Sequence, residues 1–149
     1  GDLKNFEESK QYLQFFCKNV FNFGSVEKAA QAKLLSNFLS LLTTTTVIEF
    51  FRSAKMLDID INLLCEVAKL GSGNSGALNR IADKALQGDY KGYVFSVNNT
   101  LKDLTYINDL LKNSNNAEQL SELAMNFYQS AIDSGMGDLL VSELIEKEY

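Results

Sequence analysis

Apolar residues recur at intervals of three and four along most of the chain, and no proline interrupts them. That period gathers apolar side chains on one face of a helix, so the pattern predicts an almost all-α fold. The first helix is expected over Phe6–Cys17, with Phe6, Tyr12, Leu13, Phe15 and Phe16 around it. Val20–Phe23, closed by Gly24, is short and β-prone and is the one strand candidate. Ser25 can cap a second helix running to about Met56, roughly 45 Å long at ~1.5 Å per residue. Its stretch from Leu34 to Phe51 carries apolar residues over most of its circumference, the mark of a central, buried helix. Thr43–Thr46 lower intrinsic helicity by about 2 kcal/mol relative to alanine, so tertiary packing or a subunit contact must hold them helical.

Asp60 is placed to cap a shorter helix ending at Leu70, before the glycine-rich run Gly71–Gly76. A helix over about Leu78–Leu86 follows, then a loop at Gly88–Gly92 and a long helix from about Ser96 to Leu111. Residues 112–116 break it. Asn116 with Gln119 resembles a capping box for the next helix, which ends near Gly135. A last amphipathic helix is expected from about Asp138, with Leu139, Leu140, Leu144 and Ile145 on its apolar face. No internal repeat is present.

At 149 residues, 46% hydrophobic and 22% charged, the chain can bury one core of ordinary size. The formal charge of -5 and 14 scattered basic residues argue against nucleic acid as a partner, since phosphate binding needs clustered Lys and Arg. The longest charge-free run, Leu34–Ile48, is broken by Ser36, Asn37, Ser40 and the threonines, so no membrane span is expected. Asp2, Glu7 and Glu8 do not make a secretory signal, and a cytoplasmic setting is expected. With no histidine, Cys17 and Cys65 make neither a disulfide framework nor a metal site, and both are expected as reduced, buried small hydrophobes. The same absence removes the Ser-His-acid and Cys-His nucleophile systems, leaving Lys, Asp, Glu, Tyr or Cys to move protons.

Gly71, Gly73 and Gly76 spell the literal GxGxxG of a dinucleotide loop. That loop must follow a parallel strand, whereas Leu63–Ala68 reads as helix, so a helix-to-helix turn is expected. Lys33 and Asn37 stand one turn apart on one face of the central helix, among apolar neighbours. Lost hydration disfavours an ammonium there and suits the lysine to acid-base work, although a snorkelling lysine beside a core asparagine has the same spacing. Lys102-Asp103 reads as a plain exposed ion pair.

Gly24-Ser25-Val26 followed by Lys33-Leu34-Leu35-Ser36-Asn37 resembles the signature of the β-hydroxyacid dehydrogenases, which include 3-hydroxyisobutyrate dehydrogenase and, more distantly, 6-phosphogluconate dehydrogenase. Glu49 continues that pattern, Phe95–Leu104 resembles the family's second block, and Ala131–Asp138 its third. The resemblance implies an all-α bundle like the 6-phosphogluconate dehydrogenase C-terminal domain. Residues 1–24 would then be the end of a nucleotide-binding domain and 25–149 a helical substrate-binding and dimerisation domain. In the complete enzyme, NAD or NADP would take hydride from a small β-hydroxy acid. Lys33 would be the acid-base lysine, Asn37 would bond the substrate hydroxyl or orient the lysine, and Lys102 would sit beside the cofactor. The chain alone is expected to bind cofactor poorly and to be inactive, and to form a homodimer through the helix from Ser25 to Met56. Glu27 and Ala29 stand where the family has glycines, Ser36 where it has a paired asparagine, and Leu140 where it often has an acid. Those departures keep a second reading open, a non-catalytic interaction or dimerisation module on the same fold.

Overall fold

The computed structural model of the protein describes all residues from Gly1 to Tyr149. Its helices are α1 (Leu3–Leu13), α2 (Val26–Met56), α3 (Ile61–Leu70), α4 (Gly76–Ala85), α5 (Val97–Leu111) and α6 (Asn116–Asp133), followed by a short 3-10 helix, Val141–Glu146. There is no strand, only an isolated antiparallel bridge between Ser96 and Leu140. The chain falls into two compact units, Gly1–Asn37 and Phe38–Tyr149, and α2 contributes residues to both.

In the first unit the Asp2 carboxylate caps α1, accepting from the Lys4 N–H at 2.7 Å and from that of Asn5. The helix ends at Leu13, short of the expected Cys17. Phe15 and Phe16, 82% and 88% exposed, gain nothing by prolonging it. Val20–Phe23 is not a strand. A β-prone tetrapeptide needs a partner strand to complete its backbone hydrogen bonds, and this helical chain supplies none. Cys17 is exposed, against the expectation of burial, because it follows the helix instead of sitting on an apolar face. Ser25 does cap α2, its hydroxyl accepting from the Lys28 N–H at 3.2 Å.

The second unit holds the core. There α2 buries Leu41, Thr44, Val47, Ile48, Phe51 and Ala54. In the threonine run the hydroxyls of Thr43, Thr44, Thr45 and Thr46 are satisfied locally, donating to the carbonyls of Leu39, Ser40, Leu41 and Leu42 at 2.7, 2.8, 2.9 and 3.0 Å. Because the Thr45 proton is committed to Leu41, its oxygen is left to accept from the hydroxyl of Tyr128, a fully buried ring on α6, at 2.8 Å. By length and composition an 18-residue stretch of α2 could cross a bilayer, a test that the central helix of a helical bundle also passes.

Asp60 caps α3, and Ser75 caps α4. The glycine-rich run between them is a helix-to-helix turn, and the two helices pack together over Cys65, whose thiol burial pushes up, with Lys69 opposing. At Gly92 the chain lies so close to α4 that a Cβ would stand 2.5 Å from the Arg80 carbonyl oxygen. Helix α5 packs along α6. The expected Asn116–Gln119 capping box is absent. Asn115 takes the N-cap position with φ 45° and no side-chain bond, and the Glu118 carboxylate accepts instead from the Asn113 N–H at 3.0 Å. The last element is a 3-10 helix and not the expected α-helix. Its start is tied by the Val141 N–H donating to Phe95 O, and by the Ser142 hydroxyl, which accepts from Tyr93 N–H and donates to Tyr90 O. Val141, Ser142, Leu144 and Ile145 are all buried, a spread that leaves no single polar face for an α-helix.

Burial drives the Tyr128 hydroxyl well above its usual value of about 10. A tyrosine raised in the folded state keeps its full contribution below the unfolded value and loses it as pH rises beyond that. Denaturant titrations should therefore show no Tyr128-dependent change in stability up to pH ~10 and a decline above it. Tyr128→Phe should flatten that alkaline decline while costing about 1 kcal/mol at pH 7.

Candidate functional site

Lys33 and Asn37 lie in the part of α2 that belongs to the first unit. Their spacing places them on one face, one turn apart. Lys33 is exposed, Asn37 is half-buried, and both are engaged in polar interactions. The cap at Ser25 fixes where α2 begins, and the capped start sets the register that aims both side chains.

Lys102 belongs to the second unit, on α5, and is the one basic side chain of that helix. The start of α5 is pinned by residues some 40 positions later in the chain. Val97 N–H donates to Leu139 O and Asn98 N–H to Gly137 O, each at 2.9 Å. The Ser96 hydroxyl accepts from Asn99 N–H at 3.3 Å, and the Asn98 amide donates to the Asp138 carboxylate at 3.1 Å. These bonds occupy the N–H groups that a helix start would otherwise offer to an anion. Attraction for an anion at this end of α5 is left to the Lys102 ammonium.

The expectation that Lys102-Asp103 is an exposed pair is half wrong. The Lys102 side chain is 55% exposed, but Asp103 as a residue is only 7% exposed, with its carboxylate 3.6 Å from the ammonium. Asp103 falls within the stripe of Val97, Thr100, Leu104 and Ile107, all fully buried. The sequence carried the signal: position 103 lies three residues after Thr100 and four before Ile107, which puts it on the inner face. Its salt-bridge neighbour made it look like surface.

Glu49, the outer part of the α2 pattern, pairs with Arg52 at 3.0 Å on the rim of a groove of about 440 Å³ lined also by Lys55, Glu146 and Lys147. With Glu148 also on its wall, the acids and bases of the groove balance. No group of three or more Cys, Asp or Glu side chains is disposed to hold a metal ion.

A seven-helix, strandless architecture with a 31-residue central helix is that of the helical half of 3-hydroxyisobutyrate dehydrogenases. The 3-hydroxyisobutyrate dehydrogenase of Salmonella typhimurium superposes with a TM-score of 0.86 at 22% identity, over 98% of this chain and 51% of that one. The Mycobacterium tuberculosis 3-hydroxyisobutyrate dehydrogenase, solved with L-serine, gives 0.81 at 20% identity, over 97% and 52%. Psf3, in complex with NADP+ and 2-OPP, gives 0.81 at 19%, over 97% and 50%. The chain thus spans about half the length of these structures. No curated protein sequence matches it significantly. Residues 28–147 match the family described as NAD-binding of NADP-dependent 3-hydroxyisobutyrate dehydrogenase, and the chain belongs to that family.

Two glycines test how the α5 end is built. A Cβ at Gly137 would meet the tip of the Asn98 side chain, which can swing off Asp138, whereas at Gly92 it would meet backbone. Gly137→Ala should cost about 1 kcal/mol, one surface hydrogen bond. Gly92→Ala should cost about 1–3 kcal/mol, the usual range for overpacking. Thermal and urea unfolding of the two variants would rank them, and the reverse order would contradict the packing at Gly92.

Proposed function

We propose that this chain is the helical, substrate-side part of an NAD(P)-dependent dehydrogenase that oxidises a small β-hydroxy acid. The observation that carries this reading is the family match over residues 28–147, a span containing Lys33, Asn37 and Lys102. The residues present suit NAD or NADP and an anionic substrate: Lys102 is a half-exposed cation, and Lys33 and Asn37 supply an amine and a carboxamide one helical turn apart. When bound, the nicotinamide accepts the hydride.

The Lys33 amine takes the proton of the substrate hydroxyl, and the Asn37 amide hydrogen-bonds that hydroxyl or holds the amine in line with it. The Lys102 ammonium offsets the negative charge of the cofactor or the acid. These roles follow the resemblance at the three matching positions, and the α2 register is consistent with them.

Residues 1–24 are proposed as the end of a nucleotide-binding domain. Tyr12, Phe15, Phe16, Phe21 and Phe23 are exposed there, more apolar surface than a short segment keeps in water without a covering partner. A homodimer is proposed through α2, whose Leu35 and Leu39 are exposed one helical turn apart. An exposed, unpaired Cys17 suits a reducing, cytoplasmic setting.

In the full-length protein carrying this chain, Lys33→Ala should lower kcat for a responsive β-hydroxy acid about 10²–10⁴-fold, the usual worth of a general base. Its NAD(P) affinity should stay within a few-fold. An intact, unmutated protein inactive over a panel of hydroxy acids would point instead to the non-catalytic module. Sedimentation should find the 149-residue chain dimeric and Leu39→Glu monomeric, and a dimer untouched by that charge would place the seam elsewhere.

A further inference from the structure

We infer that the glycine-rich turn between α3 and α4 is a docking seat for a second copy of this chain, receiving Leu39 of the partner subunit. This rests on the homodimer proposed through α2 and names what α2 meets there. The whole seat lies within the second unit.

A groove of about 310 Å³ runs between α2 and the turn, walled by Phe38, Leu39, Leu42 and Thr46 on one side and by Gly73 and Ser75 on the other. The hydroxyls along it are already bonded within the chain. Those of Thr43 and Thr46 donate to the carbonyls of Leu39 and Leu42, and that of Ser75 accepts from the Leu78 N–H at 3.1 Å. What the groove offers to a visitor is apolar side chains and bare backbone.

The turn is barer than the chain itself requires. Asn74 N–H closes it on Gly71 O at 3.2 Å, with Ser72 and Gly73 at the centre. Neither central residue is in the left-handed region, so most residues can take either place. A Cβ at Gly73 would meet nothing nearer than the Ala68 carbonyl oxygen at 3.9 Å, and one at Gly71 or Gly76 nothing nearer than 3.6 or 3.9 Å. Alanine at a compatible position narrows the unfolded ensemble and stabilises a fold, so three glycines here weaken the lone chain without an internal reason. Missing side chains suit a surface that another molecule approaches closely.

Charge selects the partner. No charged residue occurs from Leu34 to Ile48 or from Leu70 to Asn79, the stretches that supply the walls, although 22% of the chain is charged. A charged peptide or a nucleic acid finds no handle there. Two copies, each with a net charge of -5, repel one another, and a seam free of charge is where they can touch. The peg is built in as well: Leu39, 72% exposed, stands on the rim of the same groove. A two-fold axis beside it sets each leucine into the other copy's groove, the self-complementary contact that closes a dimer.

The test is sedimentation of the 149-residue chain over a range of concentrations, with thermal unfolding of the same variants. Gly73→Leu should weaken the dimer about ten- to hundredfold, the usual effect of overpacking, and Gly73→Ala should weaken it less. Seam and fold predict opposite signs. In the Leu39→Glu monomer, Gly73→Ala should leave the melting temperature unchanged or raise it. A fall there would assign the glycine to the fold and overturn the inference. A dimer that Leu39→Glu breaks and both Gly73 variants leave intact would overturn the seat and keep the α2 dimer. A chain that sediments as a monomer at every concentration would remove both. If Gly73→Leu then lowered the melting temperature of the full-length protein alone, the groove would belong to the nucleotide-binding domain instead.

Discussion

Of the four consecutive hydroxyls in the middle of α2, that of Thr44 is fully buried and would be costly in a hydrophobic core if its proton had nowhere to go. Each donates to the carbonyl one turn earlier. The arrangement leaves the helical ladder in place and lets a stretch of weak helix formers lie between Leu41 and Ile48, both buried. Thr45 extends it outward by accepting from Tyr128, so the polar atoms of α2 and α6 satisfy each other inside the core.

The seat of α5 rests on the same principle at a smaller scale. Ser96, Val97, Asn98 and Asn99 are bonded by side chains or by the return segment, so the helix begins at a fixed place with its inner face aimed at the core. Ser142, fully buried, closes the chain at Tyr90 and Tyr93 through one hydroxyl that both donates and accepts. Polar groups in this protein are buried where they fix the position of a backbone.

Much of this was legible in the residues. Apolar spacing and the capping side chains of Ser25 and Asp60 located α2 and α3 nearly to the residue, apolar spacing alone located α5, and the absence of a preceding strand correctly made Gly71–Gly76 a turn. The errors came where an element depends on something distant. Val20–Phe23 had strand composition and no strand to pair with. The segment from Asp138 had helical spacing, but Phe95 and Tyr90 claim its polar groups. Cys17 was assigned to a core that α1 does not have, since that helix buries no residue. The close approach at Gly92 had no local sign, because the atom it meets belongs to Arg80, back on α4. Of the site, the residue types and the α2 spacing could be read directly, while the burial of Asp103 was readable and was masked by its neighbour.

The return of residues 136–142 onto residues 90–98 also carries an implication for biosynthesis. The chain emerges from the ribosome in order, so the turn that presents Lys102 is made tens of residues before the partners that anchor it. Until Gly137, Leu139 and Ser142 have cleared the exit tunnel, α5 can be helical yet has no fixed beginning. A nascent chain halted near Ser134 would hold every α-helix of the fold and still leave its one α5 cation on an untethered end.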